Sequence, residues 1–188
     1  MIHIYTDGSA AKNRSGWGFI AIKDGFILHT GHGTKQDATN QCMELTAVYE
    51  ALEWWRTSGR YEEITIYSDS AYFCNCYFDK WYLAWQNNGW KNSKGESVAN
   101  KDLWAKIIPY FDHLEVNVKK VKGHSGHIYN DFVDKLAKGE LPNLDDLTLK
   151  KNDDKIYIEL SEILLDFQLK KYTTKEIIER IKKVFEYE

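Results

Sequence analysis

The opening residues alternate apolar and polar positions at a period of two, and the pattern then changes to steps of three and four. Ile2 to Asp7 reads as a strand that ends in a carboxylate and a Gly8-Ser9 turn. Trp17 to Lys23 and Phe26 to Thr30 are two further β-rich runs, separated by Asp24-Gly25, a strong short hairpin signal. Three antiparallel strands in a meander are therefore expected. From Met43 to Arg56, the residues Leu45, Val48, Tyr49, Leu52 and Trp55 mark one face of an amphipathic helix that closes near Gly59. Glu63 to Ser68 returns to strand, with Asp69 directly behind it. Residues 71–86 read as one helix crowded with aromatics and broken by Gly89. A polar loop over 91–99 leads to a helix at about Asn100 to Phe111 and a strand at Glu115 to Val121. A short helix at about Asn130 to Lys138 ends at Gly139.

The order β-β-β-α-β-α-α-β-α predicts an α/β protein, a mixed sheet with helices on its faces. After Gly139 the character changes. Residues 140–155 hold Pro142 and two Asp pairs and read as a loop, and Ile156 to Lys171 as a helix. Thr173 and Glu176 form a capping box ahead of the stripe Ile177, Ile178, Ile181, Val184 and Phe185. Two domains are expected, 1–139 and a C-terminal helical extension over 140–188. The apolar stripe in 156–187 must pack on the core, on a protein partner or on a second copy of the chain.

Composition bears on compartment and partner. With 43% hydrophobic residues in a chain of 188, a core can form. The opening carries no basic stretch followed by an apolar run, so no secretory signal is expected. The uncharged stretches are shorter than the roughly 20 residues of a membrane span. Three cysteines (Cys42, Cys74, Cys76), odd in number and without zinc-type spacing, point to reduced thiols in a cytoplasmic setting. A net charge of −3 argues against a nucleic-acid binder until it is localised. Residues 140–188 hold nine Lys or Arg against twelve Asp or Glu, and the first 139 hold sixteen of each. Cations bound at a few clustered acids would leave the remaining surface of 1–139 weakly basic.

Three acids stand at the ends of predicted elements: Asp7 after the first strand, Glu44 at the start of the long helix, Asp69 after the fourth strand. A fourth, Asp134, lies on the helix after the last strand. If strands 1 and 4 are neighbours, Asp7 and Asp69 emerge side by side at one edge of the sheet, where α/β sites form. Such carboxylates repel unless they are protonated or bridged by cations. A set of hard oxygen ligands points to Mg²⁺, with Mn²⁺ as a substitute. Two such ions about 4 Å apart can clamp the attacking water and leaving oxygen of a phosphodiester.

Four segments carry a specific likeness: Tyr5-Thr-Asp7-Gly-Ser, Thr39-Asn-Gln-Cys-Met-Glu44-Leu-Thr-Ala, Tyr67-Ser-Asp69-Ser-Ala-Tyr, and Gly123-His-Ser-Gly-His through Asp134-Lys-Leu-Ala. In this order they resemble type 1 ribonuclease H over about residues 1–139. The resemblance implies a ribonuclease H-like fold, with a five-stranded mixed sheet flanked by helices. It implies an endonuclease that hydrolyses the RNA strand of RNA/DNA hybrids with two Mg²⁺, leaving 5′-phosphate and 3′-hydroxyl ends. Two rival readings are a non-catalytic hybrid-binding module and a related nuclease with a broader duplex substrate.

Residue by residue, Asp7, Glu44, Asp69 and Asp134 match the family's catalytic metal ligands, and His124 matches the loop histidine that assists proton transfer or product departure. Asn13, Asn40 and Gln41 match positions that touch RNA 2′-hydroxyls. Thr39 and Asn100 match a pocket for a DNA phosphate. The family often has an arginine two residues before that threonine, and this chain has Asp37. Trp81 to Lys91 resembles the projecting handle of bacterial members, in which Trp85 and Lys91 match DNA-strand contacts. Gln86, Asn87 and Asn88 stand there in place of charge. Trp81, Trp90 and Trp104 are expected to pack, as are Cys74 and Cys76.

Overall fold

The computed structural model describes residues 1–12, 14–113, 115–123, 126–144, 147 and 173–185. Two of the expectations above, Asn13 and His124, and the helix expected over 156–171 lie outside the described residues. Five strands, β1 (Ile2–Ala11), β2 (Arg14–Lys23), β3 (Phe26–Thr34), β4 (Ile64–Ser68) and β5 (Val116–Lys120), form one mixed sheet in the order β3-β2-β1-β4-β5. The meander β1-β2-β3 is antiparallel, whereas β4 and β5 add to β1 in parallel. The Asp24-Gly25 turn has φ of 50° and 74° at its two central residues. Positive φ at both is what a two-residue type I′ hairpin requires.

The helices are α1 (Asn40–Thr57), α2 (Ala71–Phe78), α3 (Trp81–Asn87), α4 (Lys101–Ile107) and α5 (Ile128–Ala137). α1 starts at Thr39, whose hydroxyl accepts the Cys42 N–H at 3.2 Å, an N-cap bond. It buries Met43, Leu45, Val48, Ala51 and Leu52 completely. Ile2, Ile4, Ile64 and Ile66 from the sheet and Phe73, Trp104 and Ile107 from the following helices are fully buried in the same molecule. Cys74 and Cys76 lie in this core as expected, and all three cysteines are free thiols.

Three sequence expectations change. The single aromatic helix over 71–86 is two helices, separated where Lys80 adopts φ 53°. The helix expected to Phe111 stops at Ile107 and continues as a 3₁₀ turn (Ile108–Asp112), because Pro109 brings no N–H to the ladder. The first strand does not end at Asp7: it runs through Gly8-Ser9 to Ala11, each residue paired with β2.

Residues 1–142 form one compact unit and 143–188 another. In the second unit a helix, α6 (Thr174–Phe185), begins at the expected capping box: Thr173 N–H donates to Glu176 Oε2 at 2.8 Å. Ile177 is buried and Ile178 is exposed. Among the described residues no helix is long and apolar enough to cross a membrane.

Candidate active site

The parallel pairing of β1 with β4 ends at Tyr5 opposite Tyr67. Asp7 and Asp69 each follow by two residues, so the alternation of a strand brings both to the same side of the chain pair. β4 stops at Ser68, so Asp69 directly follows the strand while β1 continues past Asp7. Glu44 joins them because α1 lies flush against β1. A Cβ on Gly8 would stand 2.0 Å from the Glu44 backbone nitrogen, so only glycine permits this approach. Ligand oxygens of Asp7, Glu44 and Asp69 all lie within 4.8 Å of one another.

Asp7 and Glu44 are buried, and Asp69 is half-buried. Asp7 Oδ1 accepts the Gly8 N–H at 2.8 Å, whereas Glu44 Oε2 is buried and has no hydrogen-bond partner. Burial, then the charge of Asp69, pushes the Asp7 carboxyl up to about 7 against the pull of the Gly8 N–H. Burial, then the charges of Asp7 and Asp69, pushes Glu44 up to about 9. An orphaned carboxylate oxygen among mutually repelling acids suits a divalent cation: oxygens on opposite sides of a hard ion bound at about 2.0–2.6 Å are separated by a similar span.

The fourth acid borders this group. Asp134, on α5, lies near enough to Asp7 to add to the rise in its pKa. Its carboxylate also pairs with Lys138 one helical turn later, at 2.6 Å. Lys138 is absent from the sequence expectations, although its spacing from Asp134 made the pair legible. Gly123 lies against Asp69, where a Cβ would stand 2.4 Å from Oδ2, which brings the loop before α5 to the site. His127, in the same loop, stacks on Tyr5 at 5.0 Å between ring centres.

The metal-free acids make stability depend on pH. Above about pH 4 the unfolded chain has released protons that folded Asp7 and Glu44 still hold. These two groups therefore destabilise the metal-free fold increasingly as pH rises towards 7 and then 9. A divalent cation displaces those protons. In EDTA-treated protein, adding Mg²⁺ is expected to raise the melting temperature more at about pH 8.5 than at about pH 5.5. An increment that is flat with pH would mean that these carboxyls ionise without metal.

The chain's similarity to known proteins agrees with this arrangement. The family profile described as RNase H matches residues 1–141. The ribonuclease H of Syntrophomonas wolfei is 48% identical over 145 residues, 76% of this chain and 97% of that protein. This chain belongs to the ribonuclease H family. The ribonuclease H of Acetivibrio thermocellus is 38% identical over 142 residues, 74% of this chain and 94% of that one. The crystal structure of LC11-RNase H1 in complex with RNA/DNA hybrid shares the fold, with a TM-score of 0.52 at 20% identity over 74% of this chain and 98% of that one. The ribonuclease H-like fold expected from the motifs is thus the observed one.

Three of the residues matched to nucleic-acid contacts, Thr39, Asn40 and Gln41, form the start of α1. Asn40 is exposed, and its Oδ1 accepts the Ala10 N–H at 3.0 Å, which leaves its amide nitrogen to face outward partners. Gln41 is exposed and lines a groove of about 500 Å³ together with Tyr72, Trp81, Trp85, Lys91 and Ala99. Thr39 caps α1, and Asn100, next to the groove-lining Ala99, takes φ 55° as it starts α4. Asp37 is exposed, with φ 53°.

Trp85 is only 8% exposed and packs edge-on against Trp104, with ring centres 5.5 Å apart. Trp85 also lines the groove, so it both packs and borders that surface. Trp81 and Trp90 pack against the core as expected, each half-buried. Lys91 is exposed, and its backbone is held by Asn88 through two 2.9 Å hydrogen bonds.

Proposed function

We propose that this ribonuclease H hydrolyses the RNA strand of RNA/DNA hybrids at a divalent-cation site formed by Asp7, Glu44, Asp69 and Asp134. The observation that carries this reading is the convergence of three acids from β1, α1 and the end of β4, one with a buried, unpartnered oxygen. Two Mg²⁺, replaceable by Mn²⁺, would supply Lewis-acid stabilisation of the charge that develops on the phosphate. Asp7, Glu44 and Asp69 would hold them, with Asp134 steadied by Lys138. In-line attack of water on phosphorus then expels the 3′ oxygen, leaving 5′-phosphate and 3′-hydroxyl ends. His124 would carry a proton to or from the reacting oxygens.

Selectivity for hybrid needs groups that read a 2′-hydroxyl on one strand only. Asn13, Asn40 and Gln41 carry side-chain amides that can donate to and accept from such a hydroxyl. Thr39 and Asn100 would hold a phosphate of the DNA strand, and Lys91 and the rim of Trp85 would border its path. We assign the catalytic domain to 1–139 and treat 140–188 as an extension open to contact with a protein partner or a second copy. Free, buried thiols fit a reducing cytoplasm.

One sequence prepared as hybrid, duplex RNA and duplex DNA tests the reading. Cleavage is expected in the RNA strand of the hybrid alone, with Mg²⁺ or Mn²⁺ and not with EDTA. Binding without cleavage would favour a non-catalytic module, and equal cutting of another duplex would favour a broader nuclease.

A further inference from the structure

A cleft of about 630 Å³ lies at the far end of the β1-β2 hairpin, lined among others by Lys12, Arg14, Lys35 and Asp37. It shares no lining residue with the groove of Trp81 and Trp85. Three cations face one acid there, in a chain whose net charge is −3. Its walls are tied together. Ser15 donates from its hydroxyl to the Ala38 carbonyl at 3.0 Å, Lys35 N–H donates to the Ser15 carbonyl at 3.1 Å, and Arg14 Nη2 donates to the Gly139 carbonyl at 2.9 Å. Lys35 Nζ lies 3.8 Å from Cys42 Sγ, two residues before Glu44. Among the described residues, neither Lys12 nor Lys35 takes part in an ion pair.

The cleft is close to the acids. Ala11, in its wall, follows Asp7 by four strand residues, about 13 Å along β1. The Asn40 side chain joins Ala10 to the start of α1 in between. A polyanion whose scissile phosphate sits at Asp7 and Glu44 therefore runs within reach of Lys12 and Lys35. Tethered walls with ammonium groups outside any described ion pair suit a backbone phosphate, which is bound by charge without regard to base.

We propose that Lys12 and Lys35, with Arg14 as a fixed wall, form a second phosphate-binding site that grips the hybrid backbone a few nucleotides from the cleavage position. The site rests on the hybrid-cleaving reading above and supplies cations that Asp37 does not. Asp37 opposes the grip from the same cleft.

The test is equilibrium binding of labelled hybrid across a salt series, measured in a cleavage-deficient Asp69→Asn background. Lys12→Gln with Lys35→Gln is expected to weaken binding roughly tenfold at low salt and to lower the salt slope by about two. Asp37→Asn is expected to tighten binding, because asparagine keeps the left-handed backbone while removing the charge. Single neutral methylphosphonate linkages, placed in turn along each strand, identify the phosphate: at that position wild-type affinity falls and the lysine variant loses nothing more. An effect in the RNA strand or in the DNA strand supports the site and names its strand. An unchanged salt slope, or a lysine effect that no linkage in either strand removes, overturns it. Should the wild type bind hybrid without cutting it, the activity reading fails while these binding measurements still decide the site; absence of hybrid binding overturns both.

Discussion

Asp7→Asn is expected to abolish metal-dependent cleavage while making the metal-free protein more stable. Asp7 sits at the centre of the group, near Glu44 and Asp69 and within electrostatic reach of Asp134. An amide keeps the size of the side chain but supplies one weak, neutral oxygen in place of a charged pair. A loss of more than roughly 10³-fold in rate, about 4 kcal/mol of barrier, is expected when a central cation ligand is lost. The same change removes a buried charge whose carboxyl is held up at about 7. At about pH 8.5, in EDTA, the variant should therefore melt a few degrees above the wild type. Addition of Mg²⁺ should reverse that ranking. A variant that keeps its turnover would remove Asp7 from the chemistry, and one that melts lower in EDTA would remove the repulsion argument. The opposed signs matter, because a merely misfolded variant loses both activity and stability.

The opening hairpin and the start of the long helix were legible because each depends on local signals. Asp24-Gly25 specifies its hairpin through two positive φ angles, and Thr39 specifies the start of α1 through its cap bond. With those ends set, the parallel register of β1 on β4 follows, and Asp7 and Asp69 meet. What escaped depends on through-space packing. Trp81 and Trp85 are four residues apart on one helix, and nothing in their sequence spacing says which one turns inward. Trp104, fully buried 19 positions beyond Trp85, decides it. The break at Lys80 likewise has no glycine or proline to announce it. The cationic cleft joins the first hairpin to the approach of α1, and its charges read along the chain as ordinary solvated residues.

Gly8 was legible as a residue but misread as a turn, and its actual role makes Gly8→Ala the most damaging small substitution expected in the molecule. It sits mid-strand, paired with Trp17 on β2, where backbone flexibility is not needed. The need is for room. An added methyl would meet the Glu44 nitrogen at 2.0 Å and the Met43 carbonyl carbon at 2.3 Å, both backbone atoms that no rotamer change can move. Either β1 or the first turn of α1 must shift. Moving α1 opens the core around Met43, Leu45 and Val48, all fully buried, so a cost of about 3 kcal/mol or more is expected. For a protein of this size that is a fall of roughly 10 °C in melting temperature. Because the same contact brings Glu44 to Asp7, the Mg²⁺-dependent rise in melting temperature should shrink together with cleavage. Calorimetry with and without Mg²⁺ separates this from simple destabilisation: a variant that melts low but keeps the full metal increment would show that α1 can yield without displacing Glu44, and the close approach would then serve packing alone.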